Sequence, residues 1–334
     1  MYNLGNQTVI LKGIIIMLKI AIVGTGIIVK SHIKAFAQLD DVELVAVCDI
    51  NEEKAKAFSE ECGVPYFLNY KDIPAGVDCD AVILNLPHGL HCEVSEFFLD
   101  AGKHVLCEKP MANSVEECKR MIAAAERNGK KLAIGHIQRF MESIRTVKKI
   151  YESGELGKLC MYTENRTVNY FADNRPRWFL DKKMAGGGVV MNYGAHAFDK
   201  LFSVMGDVKI ETLDAHVSNY ANDESIEGHA MIFARFDNGV VANITFSGYT
   251  NTNYDAFYYF TNGALKVNNH KIEINRGNNT KGFEDITPPT DVTNFALQLD
   301  AFHKYIKGEP TNVPDGEYGM KVIEVIEEIY KHIV

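Results

Sequence analysis

Several features are scarce in these 334 residues, and each scarcity excludes a class of protein. Nine prolines among 26 glycines exclude a collagen-like chain. No apolar run reaches the roughly 20 residues that cross a bilayer, because Lys12 and Lys19 interrupt the stretch 9–23. Positive charge is outnumbered, with 35 Lys and Arg against 44 Asp and Glu, a net charge of −9. This balance argues against nucleic acid and anionic membrane surfaces as partners. With 46% hydrophobic and 24% charged residues, the chain has the composition of an ordinary soluble globular protein.

The cysteines show no C-x-x-C pair, and their number is odd. Most of them lie inside apolar runs of the first half of the chain. Their positions are Cys48, Cys62, Cys79, Cys92, Cys107, Cys118 and Cys160. This pattern is typical of buried, reduced thiols, so we expect a cytoplasmic protein with neither disulfides nor a metal site.

The organisation of the chain changes near residue 137. Residues 1–16 are interpreted as an extension ahead of a natural start at Met17. In residues 17–136, short apolar runs (18–23, 43–48, 81–86, 104–107 and 131–135) alternate with amphipathic helical patterns. Strand and helix in alternation indicate a parallel sheet with helices on both faces, a dinucleotide-type domain.

Residues 137–334 carry a different pattern. Long stretches with alternating apolar residues cover 158–168, 208–217, 226–236 and 240–247, with hairpin turn signals at 237–239 and 262–263. Two helical patterns follow, over 292–306 and 322–330. We therefore predict an α/β fold in which a second domain, built on a mainly antiparallel sheet, packs against the first and leaves a cleft between them.

A glycine motif follows the first predicted strand. In Gly24-Thr25-Gly26-Ile27-Ile28 the first glycine permits a tight turn, and the second lets the backbone approach a pyrophosphate at the next helix's N-terminus. Asp49 ends the second strand, where a carboxylate accepts hydrogen bonds from the adenosine ribose and repels a 2′-phosphate. No arginine is adjacent, so NAD is favoured over NADP. The alternatives are a plain structural turn and a helix-capping role for Asp49.

Two further motifs contain candidate catalytic residues. Lys109 follows the strand 104–107, at the sheet edge where ligands of such folds bind, and its ammonium can donate to a hydroxyl or alkoxide. Asn192, His196 and Asp199 are spaced to share one helix face after three glycines, and a histidine on such a face is a natural acid/base group. The alternatives are a solvated surface lysine and a hydrogen-bonded structural histidine.

These motifs together resemble the Gfo/Idh/MocA family of glucose–fructose oxidoreductase and inositol dehydrogenase, over nearly the whole chain from Met17. The resemblance also rests on the G-x-G pattern that ends at His32, on 86–91, on Glu108-Lys109-Pro110 and on the segment 135–140. It implies an N-terminal Rossmann domain, a C-terminal α/β domain with a large open antiparallel sheet, a nicotinamide cofactor, and a homodimer or homotetramer formed through that sheet.

The resemblance also assigns roles to individual residues. Lys109 would orient the substrate hydroxyl, and His196 would be the general base of alcohol oxidation. Asn192 stands where the family often has aspartate; it cannot titrate but can still bind a substrate hydroxyl. Besides the glycine motif and Asp49, the residues expected to contact the cofactor are Asn85, Pro87, His91, Glu108, Lys109 and Trp178. Core packing is the alternative for Trp178.

We therefore expect an NAD(P)-dependent oxidoreductase acting on a secondary alcohol of a sugar, cyclitol or nucleotide-sugar-like substrate. Two other functions stay open: an NAD-dependent glycosidase that uses transient redox chemistry, and a non-catalytic NAD-binding regulator. Release of an aglycone without net NADH would identify the first, and cofactor binding without turnover the second. Substrate specificity is expected in 162–178 and 248–255.

Overall fold

A computed structural model describes residues 17–220, 224–268, 271–277, 282–289 and 292–334, so the expected extension 1–16 lies outside the described residues. The first half forms a parallel sheet in which the strand order is β3-β2-β1-β4-β5-β6. This order is that of dinucleotide-binding folds, with the chain reversing direction across the sheet between β1 and β4. The strands are β1 (Leu18–Val23), β2 (Val42–Cys48), β3 (Tyr66–Phe67), β4 (Ala81–Leu84), β5 (His104–Glu108) and β6 (Leu132–Gly135).

Both faces of this sheet are buried, which explains why its strands read as continuous apolar runs. Ile20 and Ile22 of β1 belong to one apolar cluster, and the alternate residues Ala21 and Val23 belong to another. The connecting helices supply the covering side chains. They are α1 (Val29–Phe36), α2 (Glu52–Cys62), α3 (Ile73–Gly76), α4 (His91–Asp100) and α5 (Val115–Arg127).

The second half builds a larger sheet with the order β14-β13-β12-β11-β7-β10-β9-β8. The β7–β10 pair is parallel, and the other neighbours are antiparallel. This arrangement confirms the predicted fold class. The strands are β7 (Leu159–Asn169), β8 (Ile210–Ser218), β9 (His229–Phe236), β10 (Val241–Ser247), β11 (Tyr249–Phe260), β12 (Gly263–Asn268), β13 (Ile272–Arg276) and β14 (Glu284–Asp285).

One face of the larger sheet is covered and the other is open. Along β9, Ile232 and Ala234 are buried, whereas Met231 and Phe233 on the opposite face are more than half exposed. The helices of this half are α6 (Glu142–Ser153), α7 (Lys182–Ala185), α8 (Ala195–Met205), α9 (Asn294–Lys307) and α10 (Gly316–Tyr330). Within the described ranges, none of the helices combines the length and apolar content needed to span a membrane.

The last two helices return to the first sheet. Helix α9 packs on α1, and Leu299 and Phe302 join Ile20 and Val29 in one apolar cluster. Helix α10 contacts both α5 and α8. The end of the chain therefore holds the two halves together, and the division into 17–136 and 137–334 stays a prediction.

The cysteines largely follow the expectation from their apolar surroundings. All seven are free thiols, and five of them are buried. Cys62 is half-buried and Cys160 is exposed, so the prediction of buried cysteines was wrong for these two residues. Cys160 lies at a register shift between β7 and β11, where Met161 pairs with Tyr259 and Leu159 pairs with Phe260. The alternation of side chains is interrupted there, and Cys160 and Met161 are both exposed.

Candidate active site

The glycine motif forms the turn between β1 and α1. Gly24 has φ +95°, and a Cβ there would collide with the carbonyl oxygen of Asn85, so this position requires glycine. Gly26 is different, because a Cβ built there meets no atom of the chain within 4 Å. The fold itself does not need glycine at this position. The open space beside the helix N-terminus fits a group from outside the chain, such as a pyrophosphate.

Asp49 ties the end of β2 to this turn. Its Oδ2 accepts hydrogen bonds from the backbone N–H and the hydroxyl of Thr25, at 2.8 and 2.7 Å. Its Oδ1 accepts from the N–H of Asn51 at 2.9 Å. Asn51, not Asp49, caps α2, because its side chain accepts from the N–H of Lys54. The capping alternative for Asp49 is thus excluded, and Oδ1 keeps acceptor capacity for a ribose hydroxyl.

Two large apolar side chains stand exposed at the same edge of the sheet. Ile27, in the glycine turn, is 86% exposed, and Ile50, directly after Asp49, is 94% exposed. Ile28 is the N-cap residue of α1 and is half-buried. Exposed isoleucines at the ends of adjacent strands offer apolar contact to a planar ring such as adenine.

Lys109 lies at the end of β5 and reaches across to the second half. Its Nζ donates to the side-chain Oδ1 of Asn192 at 2.6 Å and to the backbone oxygen of the same residue at 3.2 Å. The pKa of the Lys109 amine is lowered to about 8, mainly by burial; the charge of Glu108 opposes this shift, and the positive charges of Arg166 and Arg175 add to it. At neutral pH the amine is therefore protonated but close to its titration range.

Asn192 belongs to a π-helical turn, Val190–Gly194, that leads into α8. His196 follows at the start of α8, where only 9% of the residue is exposed. Its Nδ1 is buried and has no hydrogen-bond partner among the described residues. Burial, reinforced by the positive charges of Lys109 and Arg166, lowers the pKa of His196 well below its usual value. The imidazole is therefore neutral at pH 7 and can accept a proton.

Asp199 does not face the same partners as Asn192 and His196. Its Oδ1 accepts from Arg139 Nη2 at 2.7 Å and from the hydroxyl of Tyr318 at 2.9 Å, and the residue is fully buried. The expectation of one shared polar face assumed a regular α-helix. The π turn ends at Gly194, so it changes the angular offset of Asn192 relative to α8 but not that between His196 and Asp199. Asn192 contacts Lys109, whereas Asp199 forms a buried ion pair with Arg139.

Three of the expected cofactor contacts lie at the ends of β4 and β5. The Oδ1 of Asn85 is buried and has no hydrogen-bond partner among the described residues, so it can accept a hydrogen bond from a ligand. Pro87 is half-buried and begins the turn that leads to α4. Glu108 faces the first helix, with its Oε1 3.1 Å from Nε2 of His32.

His91 lies deeper than these residues. Its two ring nitrogens are 2.8 and 2.9 Å from the carbonyl oxygens of Pro110 and Leu86, and the residue is fully buried. His91 therefore holds the loops after β4 and β5 together. Direct contact between His91 and a cofactor stays a prediction.

Trp178 makes aromatic packing contacts in the second half. Its ring stacks on Phe179 with centroids 3.7 Å apart and meets the edge of His88 at 4.9 Å. His88 in turn lies 2.8 Å from the carbonyl oxygen of Ala185 through Nδ1. These contacts agree with the alternative interpretation of Trp178 as a packing residue. A contact between Trp178 and a cofactor stays a prediction.

The glycine run before Asn192 approaches other parts of this chain. A Cβ on Gly187 would collide with the hydroxyl of Tyr330, and one on Gly188 with the backbone oxygen of Glu227. The buried Glu227 carboxylate accepts from the N–H groups of Gly188 and Val190 at 2.9 and 2.8 Å. The run therefore allows Glu227 to cap the helical segment that carries Asn192 and His196.

Sequence reasoning missed the charged residues on the covered face of β7. Lys200 of α8 donates to Glu164 at 2.7 Å and to the Tyr254 hydroxyl at 2.9 Å, deep beneath the cleft. Arg166 is two residues further along the same face, and Arg175 follows in the next loop. The sequence does place charged residues at alternate positions of β7, which indicates that they share one face of the strand. Alternation alone does not show whether that face is the covered one.

The family of the chain follows from comparison with known proteins. Residues 18–136 match the family model described as "Oxidoreductase family, NAD-binding Rossmann fold", and residues 144–268 match the "GFO/IDH/MocA C-terminal domain". The chain belongs to the Gfo/Idh/MocA oxidoreductase family. The predicted family, the oxidoreductase class and the NAD-binding fold are thereby confirmed.

Three relatives illustrate the range of this family. A 1,5-anhydro-D-fructose reductase of Ensifer adhaerens is 27% identical over 90% of this chain and 91% of its own length. A 1-carboxy-3-chloro-3,4-dihydroxycyclohexa-1,5-diene dehydrogenase of Comamonas testosteroni is 31% identical over 71% of this chain, which spans 60% of that protein. The crystal structure of the WlbA dehydrogenase of Bordetella pertussis with NADH and UDP-GlcNAcA is 27% identical, with TM-score 0.81 and 95% of each chain covered. These relatives favour neither the glycosidase nor the regulator alternative.

Proposed function

We propose that this protein is an NAD-dependent dehydrogenase or reductase that transfers a hydride between nicotinamide and a secondary alcohol carbon of a sugar, cyclitol or nucleotide-sugar-like substrate. One observation carries the proposal: Lys109, held by Asn192 at 2.6 Å, shares the cleft with a neutral, buried His196. A cationic donor and a neutral base are the two groups that oxidation of an alcohol requires of the protein. The substrates named for the three relatives support a polyhydroxylated ring as the substrate class.

NAD fits the residues at the edge of the first sheet better than NADP. The space at Gly26 accommodates the pyrophosphate, and Asp49 would accept hydrogen bonds from the ribose hydroxyls. Ile50 and Asn51, which follow Asp49, provide no positive charge for a 2′-phosphate. The orphaned Oδ1 of Asn85 would gain a donor from the bound cofactor. When bound, this cofactor supplies the acceptor or donor of the hydride.

The chain's own residues would then position the alcohol and move its proton. Lys109 donates to the substrate oxygen and stabilises the negative charge that develops there. The imidazole of His196 takes the hydroxyl proton in the oxidative direction and returns it in the reductive direction. Asn192 positions the Lys109 ammonium through its amide oxygen.

The proposal is tested by the absorbance of NADH at 340 nm, with NAD and a panel of polyols, sugars and nucleotide sugars. Lys109→Ala and His196→Ala should each lower turnover by about 10²-fold or more, because each removes a group that acts on the reacting oxygen. Lys148→Ala on α6, which pairs with Glu152 at the surface, is the matched control and should retain the wild-type rate. A double Lys109/His196 variant with full activity would refute the proposal.

We also propose a cytoplasmic homodimer or homotetramer that assembles through the open face of the larger sheet. Met161, Met231 and Phe233 expose 38%, 58% and 51% of their surface on this face, more apolar area than a solvated sheet normally presents. The free thiols support a reducing compartment. Light scattering during size-exclusion chromatography measures the assembly, and a monomer would contradict it.

A further inference from the structure

The cleft next to Lys109 contains an excess of positive charge. Arg166 and Arg175 lie near enough for their charges to lower the pKa of the Lys109 amine, so three cationic side chains share this region. The same positive field acts on His196, because the charges of Lys109 and Arg166 add to burial in lowering the pKa of its imidazole. A cleft with this field repels cations and attracts anions.

The carboxylates of the region neutralise this charge only in part. Glu164 is fully buried and faces two cations, because Nζ of Lys200 lies 2.7 Å from Oε2 and Nε of Arg166 lies 3.6 Å from Oε1. Glu108 lies 3.1 Å from the ring of His32 and raises the pKa of Lys109. Among the described residues, the Arg175 guanidinium packs on the rings of Tyr170 and Phe179 and forms no ion pair with a carboxylate. At least one cation of the cleft therefore lacks a counter-charge from the chain.

Arg166 has the geometry of an anion receptor. Its guanidinium carbon lies 5.1 Å from the ring centre of Tyr193 and 4.8 Å from that of Tyr254, so two aromatic rings flank the group. Its Nε is buried and forms an ion pair with Oε1 of Glu164 at 3.6 Å, too long for a hydrogen bond, so the two Nη groups are the ones that can meet a ligand. A guanidinium fixed by aromatic rings with unused N–H groups binds carboxylate or phosphate with little loss of side-chain entropy.

Arg175 provides a second donor from the loop after β7. Its guanidinium carbon lies 4.0 Å above the ring of Tyr170 and 4.9 Å from that of Phe179. Tyr170 is fully buried, and its hydroxyl has no hydrogen-bond partner among the described residues. Arg175 thus adds a second guanidinium that is fixed by aromatic rings.

We propose that the substrate carries an anionic group, a carboxylate or a phosphate, which Arg166 and Arg175 bind while Lys109 contacts the reacting hydroxyl. The inference rests on the proposed function, since it specifies the substrate class of the same cleft. A neutral sugar would leave the positive field uncompensated, whereas an anion offsets it. The anion would also raise the pKa of His196 and make the imidazole a stronger base for the hydroxyl proton.

The test is equilibrium binding to the protein–NADH complex, measured by isothermal titration calorimetry with matched sugars. D-glucuronate is compared with its amide, and D-glucose 6-phosphate with D-glucose. The wild type should bind the anion of at least one pair about ten- to a hundred-fold more tightly than its neutral partner, because charge-assisted hydrogen bonds are the strong ones. Whichever anion is preferred distinguishes a carboxylate site from a phosphate site.

Variants connect this preference to the two arginines. Arg166→Gln and Arg175→Gln should each reduce the preference about tenfold, and Arg145→Gln on α6, away from the cleft, should leave it unchanged. Arg166→Lys keeps the charge but loses the planar fork, so it should retain part of the preference. If Arg166→Gln does not fold, Arg175→Gln and Arg166→Lys provide the same comparison.

Three results would overturn the inference. The first is equal binding, or no binding, of anionic and neutral sugars by the wild type. The second is a preference that survives both glutamine variants. The third is a loss of NADH affinity in these variants without sugar, which would assign the arginines to the cofactor pyrophosphate. Turnover that depends on Lys109 is measured separately at 340 nm, so failure of the proposed function is distinguishable from failure of this inference.

Discussion

Replacing Asn192 by aspartate places a carboxylate where Lys109 now donates to a neutral amide. The Nζ–Oδ1 distance is 2.6 Å, and the amine is held at a pKa of about 8 mainly by burial. The substitution preserves the size of the side chain and its acceptor oxygen. It changes only the charge opposite Lys109, so the pKa of the amine must rise.

The size of this rise follows from the geometry. Two unit charges 2.6 Å apart attract by roughly 6 kcal/mol at an effective dielectric constant of about 20. Removing the new carboxylate from water costs a large part of that energy. Shifts of about one to three pKa units are usual for such a contact, and we expect the Lys109 pKa to rise by that amount.

Competitive acetylation followed by mass spectrometry measures this pKa without a substrate. Acetylation of Lys109 should rise with pH around a midpoint near 8 in the wild type, and around a midpoint one to three units higher in Asn192→Asp. Asn69→Asp, an exposed cap position where aspartate is equally suitable, is the control and should leave the midpoint unchanged. An unchanged midpoint in Asn192→Asp would show that the 2.6 Å contact does not exist in solution.

The pH dependence of turnover then distinguishes the two possible roles of Lys109. If protonated Lys109 donates to the substrate oxygen, kcat/KM falls as the pH rises through the Lys109 pKa. In Asn192→Asp this fall should move to higher pH by the same one to three units. The opposite result is a kcat/KM that rises with pH, with a rise that shifts to higher pH in Asn192→Asp. That result would make Lys109 the base and contradict the role proposed for His196.

Two further predictions concern the fold and the cofactor site. Gly24→Ala should lower the free energy of unfolding by about 1–3 kcal/mol, because φ of Gly24 is +95° and a Cβ there collides with backbone. Gly26→Ala should fold normally, yet it should weaken NADH binding about tenfold or more. Chemical denaturation and NADH fluorescence titration measure both, and equal stability losses would contradict the distinction. Arg139→Met should lower the free energy of unfolding by about 3–5 kcal/mol, because it leaves the buried Asp199 carboxylate unpaired. The control Arg145→Met, at the surface, should have little effect. A small loss of stability in Arg139→Met would refute the importance of the buried pair.

The first sheet was predictable because its strands are buried on both faces. Continuous apolar runs mark such strands directly, and β1 spans Leu18–Val23, the range expected from the sequence. The strand predicted over 81–86 ends earlier, at Leu84. Asn85 and Pro87 follow it in the loop that leads to the short helical turn His88–Leu90.

The predictions for the second half were limited by long-range contacts. A hairpin turn was predicted at 262–263, and the structure has one there. Its turn residues are Thr261 and Asn262, one position earlier, and Gly263 already pairs with Phe260. The pairing of Asp199 with Arg139 and the π turn before α8 were not visible in the sequence, because Arg139 is distant along the chain and a π turn has no sequence rule comparable to the α-helical period. Glu227 lies far from the glycines in sequence, so its capping role was not visible before folding.

The unpredicted cations matter most, because they couple the protonation states of the cleft. Burial, together with the positive charges of Lys109 and Arg166, lowers the pKa of His196, so the free protein holds a weak base. Any ligand that adds negative charge beside Arg166 raises the proton affinity of His196 and strengthens it as a base. A substrate that lacks this charge would bind without that activation, and its loss would therefore appear in kcat as well as in KM. In such a cleft the arginines would select the substrate through the rate of proton transfer in addition to its affinity.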